Sequence, residues 1–342
     1  MPFGIRFLTN LKLELAYFSG APWLMERRAG GAGVILRFER VRPRKSAGFQ
    51  PLKSHEITPE FLDKTIRALK RWKFEIVSMD EACQRAVRLA APRRFVCLTF
   101  DGCYKDLMTS AYPVLSRHGV PFTVYVPTAF PDGLGEAWWL AIEEVIAREN
   151  RLSLVMDRKE WHFSVAKTAE KYQLFRLLDA WLRSLAPADL SSAIKDLCER
   201  YSVDLATLSR EASMEWKDLE KLASDPNVTI GSATMNYPIL SHLKDAAALR
   251  EMTMGKAVAQ AAFHRDIRHF AYPVGDRASF RRQHLALAAD AGFASAVSTI
   301  SGIVEMEGRS NLYALPRIAW DGRQRSLRAM RVMLSGVCAA AD

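Results

Sequence analysis

Asp101 closes the run Leu98-Thr99-Phe100-Asp101-Gly102-Cys103-Tyr104, where the apolar residues Phe95, Val96, Cys97 and Leu98 lead to a carboxylate and a glycine. A carboxylate at the C-terminal tip of a buried strand sits where alternating α/β folds build active sites. It could equally cap the next helix or hold the turn that Gly102 permits. Two further segments match it in position: Val228-Thr229-Ile230-Gly231-Ser232-Ala233-Thr234-Met235-Asn236-Tyr237-Pro238 and Phe270-Ala271-Tyr272-Pro273-Val274-Gly275-Asp276. With Leu315-Pro316-Arg317-Ile318 they place four strand tips on one rim, although each alone reads as a plain strand-to-helix turn. Cys103 is the cysteine beside this rim. It could be a nucleophile, but no histidine lies near it in sequence, and it reads first as a small buried thiol.

Strand-like runs position these tips. They fall at Gly33–Phe38, Phe74–Met79, Phe95–Phe100, Pro121–Pro127, Val228–Ser232, Ile267–Tyr272, Phe293–Ile300 and Leu312–Ala319. Helical segments lie between them. Thr58-Pro59-Glu60 opens one with an N-cap and a first-turn proline, its apolar face running Leu62, Ile66, Leu69. Leu107 to His118 ends at Gly119-Val120-Pro121, a glycine stop with proline beyond. This alternation predicts parallel pairing through βαβ units, and an α/β fold: a distorted (β/α) barrel of about seven strands.

One stretch breaks the rhythm. From about 136 to 223 periodicity gives no strand, only helical patterns: Trp138 through Ile146, Ala169 to Leu185, Pro187 to Tyr201. It reads as a helical insertion in a barrel spanning 33–342, preceded by an N-terminal helical extension over 1–32. Trp138, Trp139, Trp161 and Trp181 read mainly as the core of this insertion, with sugar stacking open for one or two.

At 342 residues, 49% hydrophobic and 25% charged, the chain is an ordinary globular one. No apolar run reaches the ~20 residues that span a bilayer. Arg6, Lys12 and Glu14 interrupt the N-terminal apolar stretches, which argues against a secretory signal. An amphipathic helix docked on the main domain fits them better, with peripheral membrane contact as an alternative. The five cysteines (Cys83, Cys97, Cys103, Cys198, Cys338) are odd in number and lack CxxC spacing. That pattern points to a reducing, cytoplasmic setting without disulfides or a zinc knuckle. The net charge of +10 gathers at Arg40-Val41-Arg42-Pro43-Arg44-Lys45 and from Arg323 to Arg331. Such clusters could meet an anionic surface or form a solvated face. No nucleic-acid module accompanies them, and no nucleic-acid partner is expected.

The chain resembles the polysaccharide deacetylase family, the NodB-homology carbohydrate esterases, from Gly33 to Arg317. Thr99-Phe100-Asp101 with Tyr104 is similar to the family's first motif, TFDDGY, and Gly231 to Pro238 to its second, HTxxHP. The segments Phe270–Asp276 and Ala314-Leu315-Pro316-Arg317 resemble later motifs. The helical insertion and Ile57–Asp63 look like a bacterial branch.

The resemblance implies hydrolysis of N-acetyl groups on chitin-like or peptidoglycan sugars. It implies a divalent metal, usually zinc, held by the second aspartate of the first motif and both histidines of the second, with the first aspartate as base. Mapped onto this chain, Asp101 takes the base position. The three ligand positions hold Gly102, Ala233 and Tyr237, none a competent zinc ligand. Glu39 stands where relatives often carry histidine, and Ala271 where many carry an arginine that orients the base. The histidines His55, His118, His162, His242, His264, His269 and His284 fall at no mapped tip, and His242 is expected to begin the next helix. The expectation is therefore a chain with no metal cofactor, its family zinc lost, that binds a glycan or a protein partner as a pseudoenzyme. Tyr104, Ser232, Asn236 and Tyr272 are the candidate sugar-binding residues. The alternative is an active N-deacetylating hydrolase that uses a displaced metal or a metal-free mechanism, with Asp101 or Cys103 essential.

Overall fold

The computed structural model describes residues 13–20, 31–45, 48–88, 93–322 and 326–336. A parallel sheet forms its centre, built from β1 (Gly33–Phe38), β2 (Glu75–Val77), β3 (Phe95–Asp101), β4 (Phe122–Val126), β5 (Val228–Ser232), β6 (His269–Ala271), β7 (Ser295–Val297) and β8 (Ile318–Ala319). The order is β7-β6-β5-β4-β3-β1-β8, with β2 also pairing β3. The sheet curls on itself: Leu315, just ahead of β8, bridges in parallel to Val297 at the end of β7. This closes a distorted (β/α) barrel. The register along β1 and β3 runs from Gly33–Phe95 to Phe38–Phe100, which brings Arg37 level with Thr99 and leaves Asp101 at the tip.

Alternation along each strand sorts side chains into two cores. Val34, Leu36, Val96, Leu98, Phe100, Val124, Val126, Ile230 and Phe270 face outward and pack under the helices. Ile35, Cys97, Tyr125, Ala233, Ala271, Val297 and Leu315 fill the barrel interior. Gly231 is required here: a Cβ would lie 2.6 Å from the ring of Tyr125, which crosses the interior at this level.

The helices between strands form where the capping residues place them. α1 (Pro59–Arg71) starts at Thr58, whose hydroxyl accepts from the Phe61 amide, and α2 (Met79–Val87) starts at Ser78, which accepts from Glu81. The expected helix over Leu107–His118 divides in two. One π-helical turn spans Leu107–Ala111 and leads into α3 (Tyr112–His118). Pro113 has no amide to donate to the ladder, which favours such a rearrangement. Gly119 ends it with φ of 57°.

Between β4 and β5 lie α4 (Trp138–Arg148), α5 (Thr168–Ser184), α6 (Pro187–Arg200), α7 (Leu205–Ala212) and α8 (Trp216–Ala223). The first four pack around a separate core that includes Ile142, Val145, Phe175, Leu178, Leu182 and Ile194, whereas α8 sets Leu219, Leu222 and Ala223 into the core under the barrel helices. Against the purely helical expectation, a β-hairpin joins α4 to α5, pairing Arg151–Met156 with Lys159–Ser164. Leu152, Leu154 and Met156 do alternate into the core. The turn, however, is Asp157-Arg158, both at positive φ and without the glycine that usually marks such a turn, and the returning strand is almost wholly exposed.

Most of the N-terminal stretch read as a helical extension lies outside the described residues. The helical turn in 13–18 sets Leu13 against Ala329 and Val332 of α11 (Leu327–Leu334). Among the described residues no helix is long and apolar enough to cross a membrane. The remaining helices are α9 (Asp245–Phe263) and α10 (Gln283–Asp290). His242 does not begin α9; it ends a short 3-10 turn, and its Nδ1 lies 2.9 Å from the Leu185 carbonyl of the insertion. In the first basic cluster, Arg40 pairs with Asp106 and Arg42 with Glu56. Arg323 and Cys338 lie outside the described residues.

Candidate functional site

The C-terminal ends of β1 and β3 and the segment leading into β8 bring charged side chains together at the barrel mouth, in a region that is almost dry. Asp101 retains 7% of its exposure and Arg317 none. Arg317 clamps Asp101 with two parallel hydrogen bonds: Nη1 to Oδ1 at 2.6 Å and Nη2 to Oδ2 at 2.8 Å. The same guanidinium donates to the Ser298 carbonyl at 2.7 Å and to Thr99 Oγ1 at 3.2 Å. A second guanidinium, that of Arg37, approaches Asp101 Oδ2 at 3.6 Å and pairs with Glu39. Glu39 in turn lies 2.6 Å from His55 Nδ1. Burial alone would raise the Glu39 carboxyl, but Arg37 and His55 outweigh it and hold the group well below the usual carboxylate range. The linked side chains His55, Glu39, Arg37, Asp101 and Arg317 form the floor of the mouth.

Above this floor opens a cleft of about 820 Å³, walled by the barrel loops on one side and by α4, α5 and α6 on the other. Asp101, Gly102, Tyr104, Asn236 and Tyr237 line it, as expected from the sequence. The Arg40 guanidinium lies 4.4 Å from the Tyr104 ring centre. Trp138 and Trp139 line the cleft as well. Trp139 stacks on Phe130 and meets the Tyr237 ring edge-on, giving one wall an aromatic surface. Trp161 and Trp181 lie elsewhere, Trp161 stacked on Phe163 in the hairpin and Trp181 hydrogen-bonded to Asp157.

Two candidates are corrected. Ser232 is fully buried and falls on the outward side of β5, with Val228 and Ile230, away from the mouth. Tyr272 also turns outward: it stacks on Phe280 and donates to the Tyr313 carbonyl at 2.9 Å. Both read as rim residues because they sit near strand ends, but strand parity points them at the helices. Three participants were missed. Arg317 supplies the guanidinium that Ala271 lacks, from the segment that closes the barrel rather than from β6. Arg37 lies on the inward side of β1, and His55 arrives from the loop beyond it. The signal for Arg317 was a lone arginine within a mapped rim segment, where a charge survives burial only if paired.

The three positions matched to metal ligands do not fit a zinc ion. Gly102 offers no side-chain donor; its φ is +84°, and a Cβ would meet the Tyr104 ring at 3.1 Å. Ala233 is buried in the barrel interior with Tyr125 and Ala271. The Tyr237 phenol is pushed up to about 12 by burial and by the charges of Asp101 and Glu39, so it stays protonated. Its hydroxyl accepts from the Val274 amide at 3.4 Å. Zinc takes thiolate, imidazole or carboxylate ligands, and among the described residues no three His, Cys, Asp or Glu side chains converge to hold one. Cys103 is not a ready nucleophile either, since burial pushes its thiol up to about 12.

Comparison with known proteins adds a family match over part of this barrel and a shared fold over most of it. The family model described as polysaccharide deacetylase matches residues 187–296, a span that holds β5 and β6 but not the Asp101 strand. The Streptococcus pyogenes deacetylase PplD, solved in complex with acetate, shares 16% identity over 88% of this chain and 97% of its own, with a TM-score of 0.57. IcaB from Ammonifex degensii shares 14% identity over 89% and 98%, with a TM-score of 0.57. The BpsB deacetylase domain from Bordetella bronchiseptica shares 16% over 85% and 97%, with a TM-score of 0.53. No curated protein matches the chain in sequence. The resemblance read from the motifs is borne out: the chain carries a polysaccharide deacetylase match on a polysaccharide deacetylase fold.

Proposed function

We propose that this chain binds a glycan in the barrel-mouth cleft and does not perform metal-dependent deacetylation. The observation that carries this reading is the state of the three positions matched to metal ligands. A base at Asp101 needs a water that something else has acidified. Here those positions hold Gly102, Ala233 and Tyr237, none of which is a competent zinc ligand. Removing one oxyanion donor from a hydrolase can cost ~10²–10³ in rate, and the three matched positions offer no zinc-ligating side chain to hold the principal electrophile.

What the cleft retains suits sugar binding. Trp139 and Tyr237 offer faces for a pyranose ring, and Asn236 and the Tyr104 hydroxyl offer hydrogen bonds. The thiols of Cys83, Cys97, Cys103 and Cys198 are free, which agrees with a cytoplasmic setting. The test pairs two measurements on purified protein: calorimetric binding of chitooligosaccharides, and acetate release from them with added zinc. Binding without acetate is the expected result. Zinc-dependent acetate release overturns the proposal, and so does the absence of glycan binding.

A further inference from the structure

The cleft is more apolar than a sugar needs. Away from the charged floor its wall is made by Leu52, Phe175, Leu185, Leu190 and Ile239, contributed by the insertion and the barrel loops. A second cavity of about 320 Å³ adjoins this surface, sharing Asn236, Leu243 and Glu251 with the first and adding Met235 from the loop after β5 and Ala247, Arg250 and Met254 from α9. His242 ties the two sides together through its contact with the Leu185 carbonyl. The cleft thus leads past Asn236 and Glu251 to a mainly apolar surface of Met235, Leu243, Ala247 and Met254, with Arg250 beside it, that ends at solvent, where Met254 keeps 36% of its exposure.

We propose that the ligand is an amphiphilic glycan, its sugar over the Asp101 floor and an alkyl or acyl chain along the Leu243–Met254 wall. This rests on the glycan-binding reading and extends it to the class of glycan. Hydrogen bonding on the wall decides between an alkyl chain and a peptide. The Met235 and Asn236 amides, which face this region, both donate to the Glu251 carboxylate, at 3.2 and 2.9 Å. The Asn236 side-chain amide donates to the same group at 2.7 Å. A peptide laid here would find these main-chain donors taken and its own backbone groups unpaired, which is costly. An alkyl chain needs none. Unbranched methionines, here Met235 and Met254, also adapt to a chain of variable shape.

The experiment compares calorimetric binding of methyl and octyl N-acetyl-β-glucosaminide, the latter below its micelle concentration, with sodium octanoate and a neutral apolar hexapeptide as further probes. The octyl glycoside should bind at least tenfold more tightly than the methyl glycoside, a gain that about two buried methylenes supply. Met254→Asp, at an exposed helix position where folding is retained, should remove most of that gain and leave methyl glycoside binding unchanged. Ala247→Trp, which narrows the channel from the same helix, should do the same. Equal affinities for the two glycosides overturn the proposal while leaving glycan binding intact. Tight octanoate binding without methyl glycoside binding overturns the glycan reading and the amphiphile with it. A hexapeptide that binds as tightly as the octyl glycoside assigns the wall to a protein partner and overturns the proposal.

Discussion

The tips of β3 and β5 flank β4 at the same mouth and carry different kinds of residue. At β3 the aspartate remains, and the fold surrounds it with partners: Arg317 on both oxygens, Arg37 beyond, Thr99 beneath. At β5 the polar side chains expected of the family are replaced by Ala233, buried in the barrel core, and by Tyr237, whose phenol stays neutral. A carboxylate once paired with a buried guanidinium is costly to remove, because its partner would be left charged and dry. Ala233 and the neutral Tyr237 carry no such constraint. The Arg317 pairing is thus a structural reason for Asp101 that holds with or without catalysis.

The comparison can be broken most forcefully at β3. Arg317→Ala leaves Asp101 buried beside Arg37 alone and should destabilise the protein by about 3–5 kcal/mol, read from urea unfolding midpoints. Asp101→Asn is less severe if the clamp is structural, since the amide oxygen still accepts one hydrogen bond. A loss below about 1 kcal/mol for Arg317→Ala would show that the clamp does not hold the mouth together.

A smaller effect is expected at Gly102. Its φ of +84° is uncommon for a residue with a side chain, and an added Cβ meets the Tyr104 ring at 3.1 Å. Gly102→Ala should cost about 1–2 kcal/mol on the same unfolding curves. This sharpens the comparison: Gly102, the position matched to a ligand aspartate by resemblance, has a backbone that accepts any side chain only with strain. A neutral substitution would mean that the turn could take the missing ligand freely.

Much of this arrangement was legible from residues alone, and the failures share a cause. Strand runs of buried apolar residues and the glycine and proline stops gave the barrel, since those signals are local. Asp101, Tyr104, Asn236 and Tyr237 were found because they sit in or next to segments with a recognisable order. Ser232 and Tyr272 were misplaced by one residue of parity, which a run of apolar and polar residues near a strand end does not fix. Arg317 and His55 were not assigned to the site because their partners, Asp101 and Glu39, lie 216 and 16 residues away in sequence, and spacing does not show the pairing that the fold makes. The hairpin at 151–164 was missed because its turn carries Asp157-Arg158 at positive φ in place of glycine.

The aromatic wall offers the next test. Trp139 stacks on Phe130 and touches Tyr237, so its face is held in position for a sugar ring. Trp139→Ala should weaken chitooligosaccharide binding by about tenfold, in line with ~0.5–1.5 kcal/mol for a stacking contact beyond area burial. Trp161→Ala, on the hairpin away from the cleft, should leave binding unchanged. Equal effects from the two tryptophans would remove the cleft wall from the binding site.

The weakest effect concerns acid. Glu39 is held well below the usual carboxylate range, against burial, by Arg37 and His55. A carboxyl whose folded value lies below its unfolded value of about 4.3 stabilises the fold above that pH. The contribution fades as pH falls below the unfolded value toward the folded one, because the unfolded chain then binds the proton that the folded chain refuses. Glu39→Gln removes that linkage, so its unfolding free energy should change less steeply than the native protein's between pH 5 and pH 3. The variant should lose the Arg37 and His55 pairings at neutral pH while sparing the Arg317 clamp, which makes no contact with Glu39. Identical slopes in the two proteins would mean that the floor is not one connected chain of charges and that the Asp101 clamp stands by itself.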